Sequence, residues 1–155
     1  MNVHTLKTSA MHVMIAFGVL ASNSIARAGQ GDAYCTNWTL RGDYAFAVEG
    51  LILPAPGVTV PVRGLHMTRF DGYGHLTQKD SILANGSPIS DWTPVTGTYQ
   101  LNSDCTGIMT LTPSTGGFVN LRLVVVRDGK EIHMVVWPPF DGPARTVTSI
   151  GIKVE

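Results

Sequence analysis

The chain lacks the local signatures of the common enzyme chemistries. There is no G-x-S-x-G turn to raise a nucleophilic serine, no H-E-x-x-H zinc helix, no P-loop and no Rossmann glycine pattern. These absences argue against the usual hydrolase, metallopeptidase and nucleotide-binding classes, and nothing in the motif set calls for a cofactor. A C-x-x-C pair is missing too, and neither cysteine has Lys, Arg or His beside it, so a reactive thiol has no support. Past residue 28 there is no convincing amphipathic helix, domain boundary or repeat.

An excess of positive charge is also absent. Residues 1–28 read as an export signal: Lys7 gives the basic start, 13–21 an uncharged, mostly apolar run, and Ala26-Arg27-Ala28 a small-x-small cleavage pattern. The apolar run falls short of the roughly 20 residues that a spanning helix needs, so no membrane span is expected after cleavage. Removing 1–28 takes away Lys7 and Arg27 but no acid. The chain's 11 basic residues become 9 against 11 acidic ones, in a single domain over 29–155. With no basic stripe to hold phosphates, nucleic acid is not an expected partner. The expected location is periplasmic or extracellular.

Two cysteines are present, both beyond the signal. In an oxidising compartment the expectation is one bridge, Cys35 to Cys105. Closing that loop of about 70 residues stabilises by roughly 4 kcal/mol in the chain-entropy picture.

Seventeen glycines and nine prolines punctuate short runs rich in Val, Ile, Thr, Tyr and Phe, which predicts an all-β domain. Strands are expected at 44–48, 62–70, 75–83, 97–101, 107–112, 118–127, 131–137 and 146–154. About eight strands on short turns suggest a small antiparallel up-and-down barrel, with a β-sandwich as the alternative. Residues 50–61, with Pro54, Pro56 and Pro61, read as one long irregular excursion.

The clearest hairpin turns at Asp128-Gly129, a favoured pair where both turn residues need φ > 0. Its register pairs Val125 with Ile132 and Leu123 with Met134. Leu121, Leu123, Val125, Ile132, Met134 and Val136 then share one apolar face that must point into a core. The other face carries Asn120, Arg122, Val124, Val126, Glu131, His133, Val135 and Trp137. Half of it is apolar, so besides an ordinary outer face it suits a semi-polar cavity, a second chain or the underside of the long loop. Trp137-Pro-Pro-Phe140 adds two aromatics on a stiff segment, which more often plugs a barrel end than presents a ligand site.

An even-length loop at 70–76 would put His66, Thr68 and Phe70 on one face with Tyr73, His75 and Thr77; an odd-length loop would break that pairing. His66, Tyr73 and His75 are therefore barrel-mouth candidates, with Asp43, Glu49 or Asp80 as conceivable acid–base partners. A metal site would need Asp80 or His133 as a third ligand, and nothing in the spacing requires one.

Cys35, Gly42-x-Tyr44-x-Phe46, Phe70-Asp-Gly-x-Gly-x-Leu76 and Gly97-x-Tyr99-x-Leu101-Asn-x-Asp-Cys-Thr-Gly107 fall in an order that resembles a group of small exported bacterial β-rich proteins of unassigned function. The likeness covers roughly 35–135 and implies a bacterial envelope or extracellular location; it supplies no activity or catalytic residues to carry over. Tyr73-Gly-His75 is similar, at the level of fold alone, to a turn in allene oxide cyclase-like barrels. The expected function is a non-enzymatic barrel that binds a small apolar or amphipathic ligand, or a protein partner such as a second copy. The alternative is a cofactor-free isomerase or cyclase with a barrel-mouth His/Tyr/Asp site.

Overall fold

A computed structural model describes residues 34–155; the expected export signal lies outside these described residues. Eight strands follow one another: β1 Arg41–Ala55, β2 Val58–Asp71, β3 His75–Ala84, β4 Ser87–Leu101, β5 Thr106–Pro113, β6 Val119–Val126, β7 Glu131–Val136 and β8 Ala144–Lys153. Each pairs antiparallel with the next, and β8 returns to β1, so the sheet closes into an up-and-down barrel. Closure gives every strand a partner on both sides along most of its length, and the period-2 alternation sends one side chain in two to the interior.

The β6–β7 hairpin has the expected register, Val125 opposite Ile132 and Leu123 opposite Met134. Asp128 (φ 54°) and Gly129 (φ 82°) adopt the positive φ that this turn demands. The apolar face read from the sequence is buried, with Leu121, Leu123, Val125, Ile132 and Met134 in one core cluster and Val136 packed against it.

Three expectations need correction. Residues 50–61 are not an irregular excursion but a continuation of the β1–β2 ladder, with Leu51 opposite Pro61 and Ile52 opposite Val60. Prolines fit here because β2 meets β3 only from Val62 onward, so residues 58–61 form a strand edge that needs no donor.

Strand β4 begins at Ser87, ten residues earlier than expected, through a segment whose prolines and polar residues look like loop. Its ladder with β3 shifts register around Ile82, and the Ser90 hydroxyl accepts the Ile82 N–H at 3.0 Å and donates to the Asp80 carbonyl at 3.3 Å. A side chain thus replaces backbone pairing where the strand bulges.

The third correction concerns parity. Phe70 pairs with Leu76, and Gly72-Tyr73-Gly74 forms a loop of odd length, its glycines at φ 85° and 109°. The Asp71 carboxylate holds this turn, accepting the N–H groups of Tyr73 at 2.6 Å and His75 at 3.0 Å. An odd loop reverses the faces: His66, Thr68 and Phe70 point inward with Leu76 and Gln78, whereas Tyr73, His75 and Thr77 point outward. Leu65 and Met67, on the other face of β2, are exposed.

One end of the barrel is sealed by the segment preceding β1. Cys35 is bonded to Cys105, with Cα atoms 5.0 Å apart, and its N–H reaches the Ser103 carbonyl at 3.1 Å. The Asn37 carboxamide oxygen accepts the Leu101 N–H at 2.9 Å. The Tyr99 hydroxyl donates to the Leu40 carbonyl at 2.9 Å and accepts from the Gly72 N–H at 3.1 Å. Residues 35–40 therefore touch both the β2–β3 and β4–β5 turns, and Leu40, fully buried, closes the interior. Beneath it pack Tyr44, Phe46, Phe70 and Tyr99. Gly151 leaves room for the Phe46 ring, since an added Cβ would sit 2.2 Å from it.

Candidate functional site

At the other end the inward residues are smaller, and the interior is not filled. A cavity of about 190 Å³ lies between Val48, Val62, Leu111, Leu121, Val136 and Val147, with Ile52, Ile82 and Ile89 toward the rim. Ile89 is 60% exposed, so the cavity reaches the surface past it. Into this largely apolar space the chain places His66, Gln78, Asp80, Arg145 and Ser149.

The polar strip follows directly from register. His66 and Thr68 lie two residues apart on β2, opposite Asp80 and Gln78 on β3, so all four side chains enter the barrel side by side. His66 Nδ1 is 3.1 Å from the Thr68 hydroxyl, which donates to Gln78 Oε1 at 2.7 Å; Gln78 Nε2 donates to Asp80 Oδ1 at 2.5 Å. The Phe46 ring stacks on the imidazole at 4.4 Å with planes 16° apart, fixing its orientation. Burial lowers the His66 pKa from 6.5 to about 4, so the ring is neutral at neutral pH. The same burial raises the Asp80 pKa and outweighs the opposing hydrogen bond from Gln78.

Arg145 stands at the rim and donates to the carbonyls of Asp141 at 2.7 Å and Pro143 at 3.2 Å. The Asp141 carboxylate in turn accepts the Phe118 N–H at 3.1 Å, and the Asn120 amide reaches the Pro139 carbonyl at 3.1 Å. The β7–β8 connection is thus tied down beside the cavity.

A larger hollow, about 540 Å³, lies on the outside across β8, β1, β2 and β3. Its charged lining is the exposed Glu49–Arg63 pair, 3.7 Å apart. The interior cavity is smaller, but it has the buried His66 in its wall, and desolvated polar groups are the ones that discriminate between ligands.

Of the residues singled out from sequence, His66 and Asp80 lie in this cavity. Tyr73 is exposed and meets Trp38 edge-on at 5.5 Å. His75 pairs with Asp71 at 3.3 Å on the outside, and His133 pairs with Glu131 at 2.6 Å. Arg122 lies over the Trp137 ring at 5.7 Å; Val124 and Trp137 are exposed, and Val135 and Phe140 are half-buried. The half-apolar face of the β6–β7 hairpin is therefore an outer wall. Among the described residues, no three His, Cys, Asp or Glu side chains gather as a metal-binding group. Thr68, Gln78, Arg145 and Ser149 were missed as site residues. Their signal was present as inward alternation on β2, β3 and β8, which becomes readable once the loop length is known.

No protein-family model matches the chain, and no curated protein does. Among solved structures, a de novo designed fluorescence-activating β-barrel is similar over 79% of this chain and 98% of its own, at 14% identity and a TM-score of 0.48.

Proposed function

We propose that this is an exported bacterial binding barrel whose interior takes one small, mostly apolar molecule at the end opposite the disulfide. The observation that carries the reading is the 190 Å³ apolar cavity with a buried polar strip in its wall. A void of about 150 Å³ lined by aliphatic residues is enough for benzene, so this cavity suits a single ring with a small substituent. The basic start, apolar run and small-x-small site within residues 1–28 support export, and the Cys35–Cys105 bridge fits an oxidising periplasmic or extracellular compartment.

Titrating toluene into the labelled protein tests the reading. Saturable shifts at the amides of Val147 and Ser149 are expected, and Val147→Phe, which fills the space, should abolish them. Absence of saturable shifts in the unsubstituted protein with toluene and with phenol would sink the proposal.

A second reading, a cofactor-free isomerase, draws on one observation: neutral His66 and Asp80 share the cavity. The expected tyrosine partner is not assembled there, since Tyr73 is exposed and Tyr44 and Tyr99 are hydrogen-bonded at the sealed end. His66-dependent deuterium exchange at a carbon of a bound carbonyl compound would favour this reading; exchange unaffected by His66→Gln would remove it.

A further inference from the structure

From the polar strip we infer that the cavity selects a neutral single-ring ligand bearing a hydroxyl, whose O–H donates to Nε2 of His66. The inference rests on the binding-barrel reading and specifies its ligand class.

The hydrogen-bond directions form a chain with one consistent assignment. As a carboxylate Asp80 can only accept, so Gln78 turns its NH₂ toward it and its carbonyl oxygen toward Thr68. The Thr68 hydroxyl therefore spends its proton on Gln78 Oε1. What it offers His66 is a lone pair, so the neutral imidazole carries its proton on Nδ1. Nε2 is left as a bare acceptor. It has no protein partner among the described residues, yet no buried side-chain nitrogen or oxygen there is orphaned, so Nε2 remains accessible to the cavity that His66 lines. The stacked Phe46 holds the plane of the ring, and the Nδ1 contact with Thr68 sets which edge carries Nε2.

Apart from Nε2, the polar groups in the wall are Asp80 and Gln78, already bonded to each other, Arg145, turned to the carbonyls of Asp141 and Pro143, and the Ser149 hydroxyl; the rest is aliphatic. A ligand with an acceptor alone, such as an ether or carbonyl, would leave Nε2 unpaired and desolvated, and an anion would enter beside Asp80. A purely apolar cavity favours toluene over phenol, because phenol must shed water without replacement. A cavity with a fixed acceptor reverses that order, because sites built for a hydroxyl reject the analogue lacking it.

The test compares phenol, anisole and toluene on the same protein, with two independent readouts. Phenol is expected to bind at least tenfold more tightly than toluene or anisole, and His66→Leu should reverse the order while toluene still binds. Long-range proton–nitrogen NMR of the unliganded protein should show the Nδ1–H tautomer, and Gln78→Leu should release it into a mixture. Toluene binding as tightly as phenol, or an Nε2–H tautomer, overturns the inference and leaves the binding-barrel reading standing. Failure of all three probes to bind overturns both.

Discussion

The two ends of the barrel are built from the same alternating strands and have opposite characters. At the disulfide end the turns carry Asp71, Asp104, Arg127, Asp128 and Lys130, and the interior is packed with Tyr44, Phe46, Phe70 and Tyr99 under Leu40. At the cavity end the four connections, 56–57, 85–86, 114–118 and 137–143, hold one charged residue, Asp141. Inward positions there are Val, Leu, Ile and Ser rather than aromatics, with the His66–Asp80 strip between them. Polar groups are also used differently. The Tyr44 and Tyr99 hydroxyls donate to the carbonyls of Gly129 and Leu40, and burial pushes both pKa values up to about 12, so they remain donors. His66 at the other end keeps one nitrogen unspent. Side-chain packing decides which half of this closed barrel is core, and the acceptor left without a protein partner supports the ligand site proposed for the other half.

Breaking the staple should have the largest effect. Cys105→Ser is expected to cost about 4 kcal/mol under oxidising conditions and nothing once the parent is reduced; denaturant midpoints with and without reductant check this. Equal midpoints for the two proteins in both conditions would show that the bridge is idle.

Truncating the plug comes next. Leu40→Ala removes a fully buried side chain and should cost about 3 kcal/mol. Ile89→Ala, at the exposed cavity rim, should stay within about 0.5 kcal/mol. Comparable losses at both positions would erase the distinction between the ends.

A pH titration separates the ends at similar magnitude. The pKa of His66 is about 4 folded against 6.5 as a model group, so the unfolded chain binds the extra proton between these values. Stability from this group is complete above pH 6.5 and falls as pH drops toward 4, by at most about 3 kcal/mol. Asp80, raised by burial, acts in the opposite sense, gaining stability as it is protonated. His66→Gln should therefore remove the acid-side decline in melting temperature between pH 6.5 and 4; a decline that survives unchanged would assign it elsewhere. Smallest of all, Glu49→Gln on the outer wall should shift stability by less than about 0.5 kcal/mol, since its partner Arg63 is equally exposed.

How far each part could be read from sequence follows the physics that controls it. Strand number, barrel class and the β6–β7 register rest on alternation and on a turn pair with a strict backbone demand, and these were legible. The disulfide was legible because two cysteines allow one pairing. The candidate site was legible only at His66 and Asp80. Its neighbours depended on whether Gly72-Tyr73-Gly74 counts as an even or odd loop, and glycine fits either; the Asp71 carboxylate that holds the turn is a tertiary detail. The first ten residues of β4 were hidden because Ser90 substitutes for ladder bonds that local composition does not announce.

Residues 35–40 close one end of the interior, and the cavity at the other end opens past Ile89. A ligand that enters there leaves by the same route, so a bulkier side chain at that opening should slow arrival and departure by the same factor. Exchange would lengthen while affinity stayed put, making residence time adjustable apart from recognition.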